Sequence, residues 1–336
     1  MDKSPPVNGS PFPRAYWEAG AAFQRSRAFL TAVELGLFAA LGTHEKTSAT
    51  VAAALGTDPR ATDRLMNALA ATGFIRKHGS AFANRPEGRR FLVPGSPEYL
   101  GGLMHQVHLW ESWSTLTEAV RKGTSVYEGA ATRQEDWSEA FISAMHDRAR
   151  RAAPGVVALV GVEGVRRVLD VGGGSGAYSA CFAKAGPGIR ATVFDLPDVL
   201  PITRRFLALE GAESLVDTVG GDYLEDPLPM GYDLVLLSAI LHSLDAHGCS
   251  LLIGKCAGAL NAGGRLVVQE FFMDEGRTGP PRAALFALNM LVGTERGDTY
   301  TAGEVRAWME AAGLSGIERR ETGPDTAILV GRKSGG

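Results

Sequence analysis

The chain has 336 residues, 45% of them apolar and 21% charged, with a formal net charge of −3. It is long enough for two domains with a sizeable core, and near neutrality removes any global attraction to nucleic acid or an anionic membrane. The longest apolar stretches, Leu234–Leu237 and Ala239–Leu241, fall far short of the roughly 20 residues of a membrane span, and the three cysteines lack metal-ligand spacing and suit a reducing cytoplasm.

In chain order, "MDKSPPVNGSPFPR" has no apolar core segment and reads as a disordered leader over residues 1–15 rather than a signal peptide. From Tyr16 to about Val120 the spacing is helical, with Phe29, Leu30, Val33, Leu37 and Leu41 on one face. Two short helices follow between Thr47 and Thr72. The second is capped by Asp58-Pro59 and stopped at Gly73. A two-stranded wing over Phe74–Lys77 and Ala81–Asn84 completes a winged-helix pattern. Further helices are expected over Pro97–Lys122 and Trp137–Val160. Residues 16–150 are therefore read as one helical domain and residues 151–336 as a second.

In the second domain the period changes. "VRRVLDVG", "RATVFDLP", "VDTVGGDY", "YDLVLLSAI" and "GRLVVQEFF" are strands separated by helical patterns, which predicts a parallel sheet with helices on both faces. The final pair, "GIERRETG" and "TAILVGRK", is joined only by Pro324-Asp325 and predicts an antiparallel hairpin. "LDVGGGSGAYSA" carries the strongest local signal. Gly172, Gly174 and Gly176 between a strand and a helix let the backbone pass close beneath a ligand at the helix N-terminus. The same run also satisfies a dinucleotide fingerprint through Gly172, Gly174 and Ala177. Asp195, ending the next strand ahead of Leu196, suits the ribose hydroxyls of either kind of nucleoside cofactor. Asp222 and Tyr223 can hydrogen-bond and stack on an adenine. Together with the terminal hairpin, they argue against the dinucleotide fold.

The motifs "VLDVGGGSG", "VFDLP", "GDYLEDPLP", "LLSAILHSLD", "ALNAGGRLVVQE" and "LNMLVGTERGDTYT" resemble, in order, those of S-adenosylmethionine-dependent small-molecule methyltransferases. The nearest group is the plant and bacterial O-methyltransferases, acetylserotonin-type enzymes included. The resemblance spans about Phe23 to Lys333. It implies a seven-stranded α/β Rossmann-like sheet with a reversed final hairpin, and an N-terminal domain that pairs two subunits and covers the active site. It also implies S-adenosylmethionine as cofactor, held by Gly172, Gly174, Gly176, Asp195, Leu196, Asp222, Tyr223 and Ser238.

Methyl transfer from a sulfonium needs a base for the attacking hydroxyl, and an imidazole has a suitable pKa. His242 follows the fourth strand, on the edge where open parallel sheets bind ligands, and the resemblance makes it the general base. Glu270, after the fifth strand, is its supporting carboxylate. Thr299 stands where the family tends to place a second orienting Glu, and Ser243 stands where it usually has Asp. The resemblance also brings His105, His108, Met145, His146 and Asn289 toward the substrate. His105, His108 and His242 could in principle form a three-nitrogen metal site, but polar contacts account for them and no metal is expected. The expected reaction is O-methylation of a small aromatic or polyketide-like metabolite. C-methylation is the neighbouring alternative, and a cofactor-binding relative without turnover is a third. A DNA-binding regulator is a different class: the first 95 residues carry a net +5. Only Arg60 and Arg64 lie on the candidate recognition helix, however, and its apolar Leu65, Met66 and Leu69 point to burial against a second subunit.

Overall fold

A computed structural model describes residues 14–127, 135–323 and 325–335, and of residues 135–137 the backbone alone. The expected leader up to Pro13 and the hairpin residue Pro324 lie outside these, while Arg14 and Ala15 already open the first helix. The chain divides into two compact units at Val107/His108.

In the first unit, α1 (Arg14–Glu34) and α2 (Leu37–Leu41) share the apolar stripe expected of one helix. Gly36, left-handed at φ 70°, breaks the run between them, so Leu37 and Leu41 enter the core from a new axis. β1 (Lys46–Thr47) leads to α3 (Ser48–Leu55), capped by Thr47, whose Oγ1 accepts from Thr50 N–H at 3.2 Å. α4 (Pro59–Ala71) is capped by Asp58, which accepts from Ala61 N–H at 2.8 Å. β2 (Ile75–His78) and β3 (Ala81–Asn84) form the expected hairpin, and β1 adds a third antiparallel strand in the order β1-β3-β2. Two residues were too few to show as a strand in the sequence. Met66 and Leu69 are buried in this unit's own core, against Leu37, Leu41, Ile75 and Phe82. The expected burial of α4 against a second subunit is therefore unnecessary. α5 (Pro86–Phe91) follows. The helix expected from Pro97 to Lys122 starts only at Leu103, after Gly101-Gly102, and is interrupted at Ser114-Thr115. This gives α6 (Leu103–Trp113) and α7 (Leu116–Lys122). At the break the hydroxyls of Ser114 and Thr115 donate to Trp110 and Ser112 carbonyls, competing with the helical ladder.

The second unit begins within α6, takes in α7 and continues with α8 (Glu135–Val160). Strands and helices then alternate: β4 (Arg167–Val171), α9 (Ala177–Lys184), β5 (Arg190–Asp195), α10 (Leu200–Leu209), β6 (Val216–Gly220) and β7 (Tyr232–Ser238). α11 (Ala246–Ala259), β8 (Leu260–Glu270), α12 (Pro281–Gly293), α13 (Ala302–Ala311), β9 (Leu314–Glu321) and β10 (Ala327–Lys333) complete it. The sheet has seven strands in the order β6-β5-β4-β7-β8-β10-β9, with β10 antiparallel to both neighbours and the other pairings parallel. This is the α/β architecture with a reversed final hairpin that the sequence predicts. Both faces are buried, which is why the strands read as continuous apolar runs. Leu169, Val171, Val235 and Leu237 join one core with α11 and α13. Val168, Leu234 and Leu236 join the other, with α8, α9 and α10. Strand order reverses at β4/β7, the switch point at whose C-terminal edge such sheets bind ligands. Among the described residues no helix is long and apolar enough to cross a membrane.

Candidate active site

The turn after β4 is built from backbone. Gly172 sits at φ 67°, and a Cβ there would stand 2.4 Å from Ile240 Cδ1. Gly176, the N-cap of α9 at φ 74°, has Leu207 Cδ2 at 2.9 Å from a Cβ position. Side chains at either place are thus excluded by conformation and by space. Gly174 N–H donates to Asp195 Oδ2 at 2.7 Å, and Leu196 N–H donates to Oδ1 at 2.8 Å, so the carboxylate stands over the turn. Burial raises the Asp195 pKa against the pull of these two donors. Beneath the turn Asp170 is fully enclosed. Burial pushes its pKa up to about 7, although Ser179 Oγ donates to it at 2.8 Å.

The neighbouring strand ends close this corner. The Asp222 carboxylate accepts from Leu224 N–H at 2.8 Å, which fixes the turn that carries Tyr223. The Tyr223 ring flanks Gly172, with Cε1 3.7 Å from its Cβ position, and its hydroxyl lies 3.4 Å from Ser243 Oγ. Ser238, the last residue of β7, donates to Gln269 Oε1 on β8 at 3.1 Å. Leu196 is exposed beside the turn. The residues expected at the cofactor are therefore gathered along one sheet edge.

The second corner is built from side chains. The parallel register sets Ser238 beside Gln269, so Glu270 comes one residue later at the same edge. Past β7, Ala239 adopts a left-handed conformation at φ 58°, and the chain enters a 3-10 turn over Leu241–Ser243. There His242 Nδ1 lies 2.9 Å from Glu270 Oε2. Glu270 is 5% exposed, and its carboxylate also accepts from Phe271 N–H at 3.3 Å. A carboxylate acceptor at Nδ1 places the neutral ring's proton there and leaves Nε2 as the acceptor. The imidazole meets Phe286 of α12 edge-on at 4.8 Å, and Phe286 tilts against Phe271 at 4.4 Å. From behind, the 294–300 loop supports the turn. Tyr300 Oη donates to Leu244 O at 2.6 Å, and a Cβ on Gly297 would stand only 2.4 Å from His242 O. Thr299 does not replace the second orienting acid: buried, it donates from Oγ1 to Ala283 O at 3.2 Å and ties the loop to α12.

The remaining expected residues fall in several places. Asn289 Oδ1 accepts from Trp113 Nε1 at 2.8 Å, a side-chain partner rather than a backbone one. Ile142, Met145 and Arg148 are spaced three residues apart on α8, so each stands about 60° round the helix from the one before. Ile142 Cδ1 reaches the Gly174 turn, and the Arg148 guanidinium lies 4.2 Å from the Phe271 ring centroid. Met145 stands half-buried between them. His146, four residues beyond Ile142, shares that residue's side of the helix and meets the same glycine-rich turn. Its Nδ1 is 3.1 Å from Ser175 Oγ, its ring stacks on Phe206 at 4.1 Å, and its Nε2 is 3.6 Å from Glu210. Burial lowers its pKa, opposed by Glu210. His105 lies in the first unit and is buried. His108 opens the second, its Nδ1 buried without a hydrogen-bond partner among the described residues. No group of three His, Cys, Asp or Glu among the described residues is placed to hold a metal. Sequence reasoning missed Arg148, Phe271, Phe286 and Tyr178. The last is buried beside Ser238 and Gln269, and burial raises its pKa. A signal existed for two of them: Phe271 follows Glu270 directly, and Arg148 lies three residues past Met145.

Residues 113–315 match the family model of the O-methyltransferase domain, and residues 17–94 that of the O-methyltransferase dimerisation domain. The chain is 33% identical over 300 residues to 3-hydroxy-5-methyl-1-naphthoate 3-O-methyltransferase of Streptomyces sahachiroi, covering 87% of each chain. It is 30% identical to the tetracenomycin polyketide synthesis 8-O-methyl transferase TcmO of Streptomyces glaucescens, over 93% of this chain and 94% of the other. Among solved structures, human N-acetylserotonin methyltransferase in complex with S-adenosylmethionine superposes with a TM-score of 0.87 at 26% identity, covering 98% of this chain and 99% of that one.

Proposed function

The chain belongs to the S-adenosylmethionine-dependent O-methyltransferase family. On that premise we propose that it methylates a hydroxyl of a small aromatic or polyketide-like metabolite in secondary metabolism, with His242 as general base. The observation that carries this reading is the 2.9 Å contact between His242 Nδ1 and Glu270, at the same sheet edge as the glycine-rich turn. S-adenosylmethionine supplies an activated methyl whose leaving group departs as a neutral thioether. The chain supplies the rest. Gly172, Gly174 and Gly176 admit the cofactor close to the backbone, Asp195 grips its ribose beside Leu196, and Asp222 and Tyr223 hold its adenine. Ser238 contacts it from β7. Nε2 of His242 takes the hydroxyl proton, and Glu270 fixes the tautomer and steadies the imidazolium. Base catalysis of this kind contributes about 10²–10⁴-fold. Holding oxygen and methyl in line contributes the larger share.

Met145, Asn289 and His108 contribute to the acceptor pocket. His146 acts at one remove, through Ser175 of the glycine-rich turn. Residues 16–150 form the dimerising and covering part of a cytoplasmic homodimer. The match to a dimerisation model and the exposed Tyr16, Trp17 and Phe23 on α1 support that arrangement. The test is turnover of purified protein with S-adenosylmethionine and a panel of phenols and naphthols, with the product read by mass and by carbon NMR. A new oxygen-bound methyl is expected. Methyl found only on carbon or nitrogen, or tight cofactor binding with no transfer to any hydroxyl, would defeat the proposal.

A further inference from the structure

Arg148 is half-buried and makes no ion pair among the described residues. Buried charges in folded proteins are ordinarily paired, because taking an ion out of water costs several kcal/mol. The acids that could neutralise it are committed elsewhere. Glu270 is held by His242 at 2.9 Å, and Asp325 is paired with Arg282 at 2.5 Å. The guanidinium is kept instead over the face of Phe271, a position that satisfies its planar surface and leaves its N–H edge donors without a partner among the described residues. Burial accordingly lowers its pKa, although the guanidinium stays charged.

Its location gives the vacancy in charge a meaning. Phe271 packs on Phe286, and Phe286 on the His242 ring, so Arg148 stands on the same aromatic wall as the proposed base. On α8 it lies six residues beyond Ile142, whose side chain touches the cofactor turn. Resting on the proposed O-methyl transfer, we propose that Arg148 is the acceptor-side anion site. It receives a carboxylate borne by the same hydroxyaromatic whose hydroxyl faces His242. The preferred acceptors are then hydroxyaryl carboxylates rather than neutral phenols.

The test uses positional isomers of hydroxynaphthoate, each with its methyl ester, titrated calorimetrically into the full-length protein loaded with S-adenosylhomocysteine. At least one acid should bind the wild type tenfold or more tighter than its ester, the scale of a charge-assisted hydrogen bond. Arg148→Gln should abolish that preference while changing ester and S-adenosylhomocysteine affinity less than about twofold. Arg148→Lys should restore part of it. Equal binding of every acid and ester by the wild type overturns the assignment, as does an Arg148→Gln variant that weakens both alike. If an acid binds through Arg148 but no hydroxyl is methylated, the anion site stands and the reading of methyl transfer falls. If the wild type methylates acids and esters with equal kcat/KM and Arg148→Gln does not change this, the transfer stands and the anion site falls.

Discussion

The glycine-rich turn after β4 and the His242 corner after β7 lie at the ends of adjacent parallel strands, and they are made of different materials. The first is backbone: left-handed glycines, amide donors, and a carboxylate that caps them. The second is side chain: an imidazole, a carboxylate one strand away, and two phenylalanine rings that fix the approach. Backbone geometry is indifferent to what the neighbouring elements carry, so the cofactor end can be shared across acceptors. On the proposed reading the acceptor end depends on residues from α8, β8 and α12 meeting at one place, and specificity has room to change there.

The comparison can be broken by substitutions that should hit one corner and spare the other. The largest effect is expected from His242→Ala, which should lower kcat by about 10² or more and leave the dissociation constant of S-adenosylmethionine nearly unchanged. Glu270→Gln should lower kcat in the same sense by about tenfold or more, because the ring loses the acceptor that fixes its tautomer. Steady-state kinetics beside cofactor titration would measure both, and weakened cofactor binding in either variant would join the two corners into one. Gly172→Ala should do the reverse. A Cβ in a left-handed residue, 2.4 Å from Ile240, costs about 1–3 kcal/mol, which taken wholly from cofactor binding is about a five- to 150-fold loss of affinity. The pH response offers a smaller and sharper probe. Asp170 has its pKa raised from 3.8 to about 7 in the folded state, so the native protein holds a proton that the unfolded chain releases. Its contribution to stability is complete below about pH 4 and is lost as pH rises through about 7. Asp170→Asn should therefore flatten the fall in Tm across that window by a few degrees relative to wild type, measured by calorimetry at fixed salt. An identical slope in the two proteins would show that Asp170 is not titrating there.

The same contrast explains what could be read before folding. Gly172, Gly174 and Gly176 announce themselves, because few residues other than glycine tolerate such conformations and the requirement is local. Asp195 and the strand alternation are nearly as plain. His242 and Glu270 were paired through the family resemblance alone, because their meeting depends on the register of β7 against β8, which no local pattern encodes. Thr299 looked like a lost partner of the imidazole and proved to be a tie to α12. His146 and Met145 are adjacent in sequence, yet the helix sets them about 100° apart, His146 toward Ser175 on the side of Ile142 and Met145 round toward Arg148. Helical periodicity tells which residues share a face, but only the packed structure tells what the face looks at.

The placement of Ile142, Met145 and Arg148 on one uninterrupted helix sets a rule for how the chain can change. Each residue of α8 advances the azimuth by about 100°, so deleting a single position between Ile142 and Arg148 would rotate every later side chain off its wall. On the proposed reading, acceptor preference drifts through exchanges at fixed helical positions such as 145 and 148, whereas length variation in this stretch would scramble the docking surface.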